Sequence, residues 1–142
     1  MAESKETLSL EVATPVGLAL RASCESVQAP SVHGEFGVLP NHIPLLAAVK
    51  SGLLRYRVEG KDEVVAIGPG FVEAEPDRVL LLTELFAKPG DVDVDDVKTE
   101  LEAAEVALAK FTDAQEGPEH AELVRNVEWA HARLACKAEA DK

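Results

Sequence analysis

Apolar and polar residues alternate along the first two thirds of the chain, then recur at intervals of three and four. Leu8, Leu10 and Val12 alternate with polar neighbours over residues 7–13, the period of a half-buried strand. Leu18, Leu20, Ala22 and Cys24 repeat the pattern and predict a second strand over 18–27. Leu54, Tyr56 and Val58 share one face of a later strand, and the turn Glu59-Gly60-Lys61-Asp62 leads into its return, EVVAIG. Gly68-Pro69-Gly70 turns the chain again. Beyond it Phe71, Glu73 and Glu75 fall on one face and Val72 and Ala74 on the other. Pro76-Asp77 precedes a continuous apolar run from Val79 to Leu82. Short strands with glycine and proline between them predict an all-β sandwich or flattened barrel.

One stretch breaks the alternation. Residues 34–46 read GEFGVLPNHIPLL. Gly34 and Gly37 admit positive φ, and Pro40 and Pro44 fix their own φ and extend Leu39 and Ile43. The composition predicts a stiff corner over 34–44. Phe36, Val38, Leu39, Ile43, Leu45 and Leu46 would anchor it by burial, leaving Glu35, Asn41 and His42 presented.

At Lys88-Pro89-Gly90 the period changes. Val94, Val97, Leu101, Ala104, Leu108 and Phe111 form an apolar stripe on one helix face. Asp91, Asp93, Asp95 and Asp96 crowd its start, where acids cap free amides and complement the helix dipole. Gly117-Pro118 opens a second helix with a stripe at Leu123, Val127, Ala130 and Leu134. The chain thus divides into a β-sandwich over 1–88 and a two-helix hairpin over 89–142. The hairpin is rich in alanine, and each helix reads as only slightly longer than the roughly 12–15 residues below which isolated helices are marginal. Both a detachable hairpin and a permanently docked cap fit this pattern.

Composition sharpens the picture. In 142 residues, 46% apolar, there is enough material for one core, and six aromatic residues make that core aliphatic. The net charge of −12 splits into −4 over residues 1–90 (8 basic, 12 acidic) and −8 over 91–142 (6 basic, 14 acidic). Neither part suits a polyanion, which disfavours nucleic acid. No run approaches a membrane span of about 18 apolar residues, and the first ten residues lack signal-peptide and transit-peptide character. These features point to a cytosolic address. Cys24 and Cys136 lack CxxC spacing and read as free thiols.

The residues offer little chemistry. No Gly-x-Ser-x-Gly elbow surrounds any serine. His33, Glu35 and His42 match no zinc spacing, and Gly68-Pro69-Gly70 lacks the Lys-Ser/Thr of a phosphate loop. His120 and His131 flank the last apolar stripe as partly solvated packing residues, and Glu73 and Glu75 share a strand face that reads as wet in preference to an acid-base pair. No catalytic residue, metal or cofactor is expected. On residues alone, a stand-alone sandwich with a helical cap that binds a protein partner is an available reading.

The run GEFGVLPNHIPLLAAVKSGLLRY resembles the signature loop of the epsilon subunit of bacterial rotary ATP synthases. The matching positions are Gly34, Glu35, Phe36, Gly37, Pro40, His42, Pro44, Leu45, Leu46, Lys50 and Gly52. The later GPGFVEAEPDRVLLLTE is similar to the segment before that family's last strands. The resemblance implies a ten-strand sandwich followed by a helical hairpin, placed on the rotor beneath the catalytic head. It implies a non-catalytic subunit at the cytoplasmic face of the inner membrane, bound to the gamma subunit and the c-ring. The hairpin would dock on the sandwich or extend along gamma, meet the catalytic beta subunit and restrain ATP hydrolysis.

The resemblance marks Glu35, Phe36, Val38, Asn41 and His42 as the contact with the c-ring and gamma, with Glu35 and His42 at the matching contact positions. Phe36 and Val38 stiffen the corner, and Asn41 lies beside His42. It also places an ATP-binding motif, (Ile/Leu)-Asp-x-x-Arg-Ala, at the start of the first helix. Here that stretch is Val92-Asp93-Val94-Asp95-Asp96-Val97, with Asp96 in place of the arginine, so weak or absent ATP binding is expected. The second helix carries only Arg125, Arg133 and Lys137 as lysine or arginine, beside Glu119, Glu122 and Glu128, which argues against strong charge-driven inhibition.

Overall fold

The computed structural model describes residues 6–111 and 117–142. Ten strands come first: β1 (Leu8–Thr14), β2 (Gly17–Cys24), β3 (Ser26–Ser31), β4 (Gly34–Val38), β5 (Leu45–Val49), β6 (Gly52–Val58), β7 (Lys61–Ile67), β8 (Gly70–Glu75), β9 (Arg78–Thr83) and β10 (Phe86–Ala87). A 3₁₀ turn over Pro89–Asp91 leads into helices α1 (Val94–Ala109) and α2 (Pro118–Ala140). The strands form one hydrogen-bonded path, β10-β7-β6-β3-β5-β8-β9-β1-β2, with β4 alongside β3. All its pairings are antiparallel except β1 with β9.

The path curls around an aliphatic core. Leu8, Leu10 and Val12 of β1, Leu54 of β6, Val65 and Ile67 of β7, Val72 of β8 and Val79 and Leu81 of β9 are buried together. Each set is spaced by two, as the pleat requires. β7 differs in being buried on both faces. Val65 and Ile67 point into this core, while Val64 and Ala66 face a second cluster with Val97 of α1 and Ala130, Ala132 and Cys136 of α2. α2 therefore lies docked on the outside of β6 and β7.

Three expectations need correction. The predicted strand over 18–27 is two strands, broken at Glu25. Cys24 and Val27 are both buried, and residues three apart cannot face one side of an unbroken pleat. The Glu25 N–H donates to the Arg57 carbonyl at 2.7 Å, and its carboxylate accepts from the Gly60 N–H at 2.6 Å, fixing the break. The predicted corner over 34–44 is half strand. Gly34–Val38 pairs with β3 through a tight hairpin, in which the Ser31 hydroxyl donates to the Gly34 carbonyl at 2.6 Å. Finally, α2 has 23 residues, where a helix only slightly above the marginal length was expected.

The buried side of α2 is also wider than one stripe. Ala130, Ala132 and Cys136 are its buried residues, while Leu123, Val127 and Leu134 are half-buried. A helix that packs on both α1 and a sheet buries more than a single face. Small side chains at 132 and 136 let it approach closely, with the Cys136 thiol 3.9 Å from the Val64 carbonyl. On α1, Val97 and Ala104 are buried and Leu101 and Leu108 half-buried.

Candidate interaction surface

The corner is built from β4 and the turn after it. Val38 is fully buried and Phe36 packs half-buried against the core, so β4 is pinned from inside. Leu39-Pro40-Asn41-His42 then makes a tight turn, closed by the His42 N–H donating to the Leu39 carbonyl at 3.1 Å. Proline at its second position and Asn41 at φ 68° match a type II turn, where asparagine tolerates the left-handed region. The Asn41 N–H donates to the Pro76 carbonyl at 2.6 Å, tying the turn to the β8–β9 connection. Its side-chain amide donates to the Glu6 carboxylate at 2.7 Å. The His42 ring Nδ1 lies against the Ile43 carbonyl.

Glu35 projects from β4 and is exposed, yet it is not free. Its carboxylate accepts from Arg55 Nη1 at 2.6 Å. The opposite edge of the same guanidinium donates to both oxygens of Glu139 on α2, each at 2.9 Å. The hydrogen bonds that Arg55 donates to Glu139 raise the Arg55 pKa above its ordinary value, and Arg55 in turn holds the Glu139 carboxyl below the usual range.

Of the corner's six expected anchors, Phe36, Val38 and Leu45 pack on the core, but three do not sink inward. Leu39, Ile43 and Leu46 are 63%, 76% and 73% exposed, and two more large apolar side chains, Phe71 (59%) and Leu82 (49%), join them at the surface. Register explains the grouping. Leu46 sits opposite Glu73, and Ala48 opposite Phe71, which in turn faces Leu82 across β8 and β9. Leu46, Phe71 and Leu82 point outward from the β5–β8–β9 layer. Near Phe71 and Leu82 the surface dips into a hollow of about 670 Å³, whose lining also includes Val49, Leu85 and Arg125 of α2. Large apolar side chains grouped on one face mark a binding site more often than a chance surface.

The hairpin adds its own polar contacts. Asp93 caps α1, its carboxylate accepting from the Asp96 N–H at 3.1 Å, and Asp96 itself is exposed. Arg133 donates to Glu100 across the two helices at 2.6 Å and lies over the Trp129 ring. His120 stacks obliquely on Phe111, and His131 is exposed, more solvated than the partly solvated packing residue expected. Among the described residues no three His, Cys, Asp or Glu side chains gather as metal ligands. No helix among them is long and apolar enough to cross a membrane.

Residues 7–89 match the family model described as the beta-sandwich domain of the ATP synthase delta/epsilon chain. The chain is 35% identical over 136 residues to the ATP synthase epsilon chain of Nitratidesulfovibrio vulgaris, covering 96% of this chain and 99% of that one. The chain belongs to the ATP synthase epsilon chain family. The epsilon chain of Syntrophobacter fumaroxidans is 41% identical over 111 residues, covering 78% of this chain and 83% of its own length. In fold, this epsilon-family chain is similar to a chain in the cryo-EM structure of the Euglena gracilis mitochondrial ATP synthase, OSCP/F1/c-ring. The TM-score is 0.76 at 19% identity, across 99% of this chain and 84% of that one.

In this epsilon-family chain, Glu35, Phe36, Val38, Asn41 and His42 fall on one strand and its following turn. Only Glu35 is joined to the hairpin. Sequence reasoning did not single out Arg55, took Leu46 for a buried anchor, and named Phe71 and Leu82 only within strand patterns, not as an exposed apolar face. A signal existed in the paired Leu45-Leu46 and the unbroken run 79–82, because two adjacent apolar residues on a strand cannot both face one core.

Proposed function

We propose that this chain is a non-catalytic rotor subunit of a proton-translocating ATP synthase, joining the catalytic head to the c-ring through the gamma subunit. The observation that carries this reading is the exposure of Leu46, Phe71 and Leu82 on the β5–β8–β9 layer, with Leu46 three residues beyond the exposed Ile43 of the signature corner. A folded chain that keeps such a face in water has a partner for it. In this reading the sandwich, residues 1–88, is the rotor-contact unit and the hairpin, residues 89–142, is regulatory. Glu35 and His42 meet the c-ring and gamma, with Asn41 between them holding the turn, while Phe36 and Val38 keep β4 from yielding under torque. The chain supplies no catalytic group and no cofactor site. It sits at the cytoplasmic face of the inner membrane by way of its partners.

The hairpin, when released from β6 and β7, reaches along gamma toward the catalytic beta subunit and restrains hydrolysis. Family membership and the small, alanine-rich docking surface support that role. The combined replacement Glu35→Gln and His42→Ala tests the corner. Assembly and proton-coupled synthesis in the mutant complex are expected to fall while the isolated chain melts normally. Unchanged synthesis would remove the corner from the rotor contact. ATPase activity of the assembled complex with and without residues 91–142 tests the hairpin, and equal rates would exclude the restraint.

A further inference from the structure

One guanidinium spans two parts of the chain. Arg55 is an outward residue of β6, beside Gln28 of β3, and reaches both Glu35 on β4 and Glu139 in the last turn of α2. The two carboxylates use different edges. Nη1 serves Glu35, while Nε and Nη2 serve Glu139, so neither takes a donor from the other.

We propose that Glu35, Arg55 and Glu139 act as one unit, through which any cation that engages Glu35 sets how firmly the end of the hairpin is held to the sandwich. Two effects oppose each other. The carboxylates repel, but Glu35 is half in water and Glu139 a third, and solvent damps that repulsion. Against it stands orientation. An arginine side chain carries large rotamer freedom, and once one carboxylate fixes its planar fork the other finds it already aimed. Orientation wins. Glu35 is thus a positioning residue for the Arg55–Glu139 pair, and a basic group that draws Glu35 away loosens the last turn of α2. By linkage, hairpin release makes Glu35 easier to capture. The use of this coupling in a rotor rests on the proposed function, but the coupling itself belongs to the isolated chain.

The molecule contains its own reporter. Cys136 lies one turn before Glu139, fully buried against β7, and Cys24 is fully buried in the core. Release of the hairpin exposes the first thiol, and only global unfolding exposes the second. The test is the labelling rate of each thiol by a maleimide at neutral pH, resolved by peptide mass, in the full chain. Glu139→Gln is expected to speed Cys136 labelling about tenfold, the scale of one charge-assisted hydrogen bond. Glu35→Gln is expected to speed it about two- to threefold, since only the orientation of Arg55 is lost.

The double variant is expected to match Glu139→Gln, and in an Arg55→Lys background Glu35→Gln is expected to add nothing. Cys24 labelling stays at the parent rate throughout. An unchanged Cys136 rate in Glu35→Gln overturns the proposal. So does a double variant whose effect is the product of the singles, or Cys24 rising in step with Cys136. None of these outcomes bears on whether the chain is a rotor subunit, which the complex-level assays decide.

Discussion

Replacing Phe71 with serine separates a binding face from a core more sharply than any other single change. A phenylalanine presents roughly 200 Å² of side-chain surface, of which 59% remains exposed, so about 120 Å² is still in water in the free chain. The fold gains little from that part, and the isolated Phe71→Ser chain is expected to melt within about 3 °C of the parent. Covering the same area in a complex contributes about 3 kcal/mol at roughly 25 cal/mol per Å². Affinity for the cognate gamma subunit is therefore expected to fall by about two orders of magnitude. Thermal unfolding of the free chain and titration calorimetry against purified gamma provide the two readings. A large drop in melting temperature would mean Phe71 is core. Binding within about threefold of the parent would mean the apolar face meets something other than gamma.

Three further outcomes follow from local chemistry. A Cβ at Gly70 would come within 1.8 Å of the Leu82 carbonyl oxygen, so Gly70→Ala is expected to cost about 2–3 kcal/mol in denaturant unfolding. Gly90→Ala meets nothing and is expected to cost under about 0.5 kcal/mol. Hairpin docking is expected to weaken at both pH extremes, read by fluorescence of the single tryptophan, Trp129, at the docked interface. Arg55 holds Glu139 below its ordinary pKa of 4.5, so its contribution is present above that value and is lost as pH falls through the lower docked one. Burial pushes the Cys136 thiol from 9.0 to about 11, so its contribution is complete below pH 9.0 and is lost towards about 11. Cys136→Ala should reduce the alkaline limb, and a signal flat across both ranges would refute the linkage. With Asp96 exposed where the family motif has arginine, calorimetry is expected to detect no micromolar ATP binding, and finding it would contradict that reading.

The alternation of Leu8, Leu10 and Val12, and of Leu54, Tyr56 and Val58, made the strands legible because each has one buried face. The helices were legible through their period and their breakers at 88–90 and 117–118. What escaped were places where two local rules conflict. Cys24 and Val27 both face the core, and only a break at Glu25 permits that. Gly34 to Val38 carries two glycines and looks like a turn, yet β3 supplies a full register of hydrogen bonds that outweighs its weak strand preference. Leu39, Ile43 and Leu46 looked like anchors because hydrophobicity alone does not distinguish a core from an interface. Arg55 was invisible for another reason. Its role depends on Glu35 and Glu139, 20 and 84 residues away, brought together only by strand pairing and helix docking. The contact roles proposed for Glu35 and His42 rest on family resemblance, and periodicity does not suggest them.

In the proposed function this chain works as part of a rotor, seated through its apolar face and signature corner. Affinity capture of the tagged full chain from detergent-solubilised membranes of its own host, with mass spectrometry of the eluate, tests it most directly. Recovery of gamma and the c-ring in fixed proportion to the chain is expected, with both lost from a Leu46→Ser, Phe71→Ser variant that folds normally. Recovery of the parent chain alone, or with the variant retaining both partners, would contradict it.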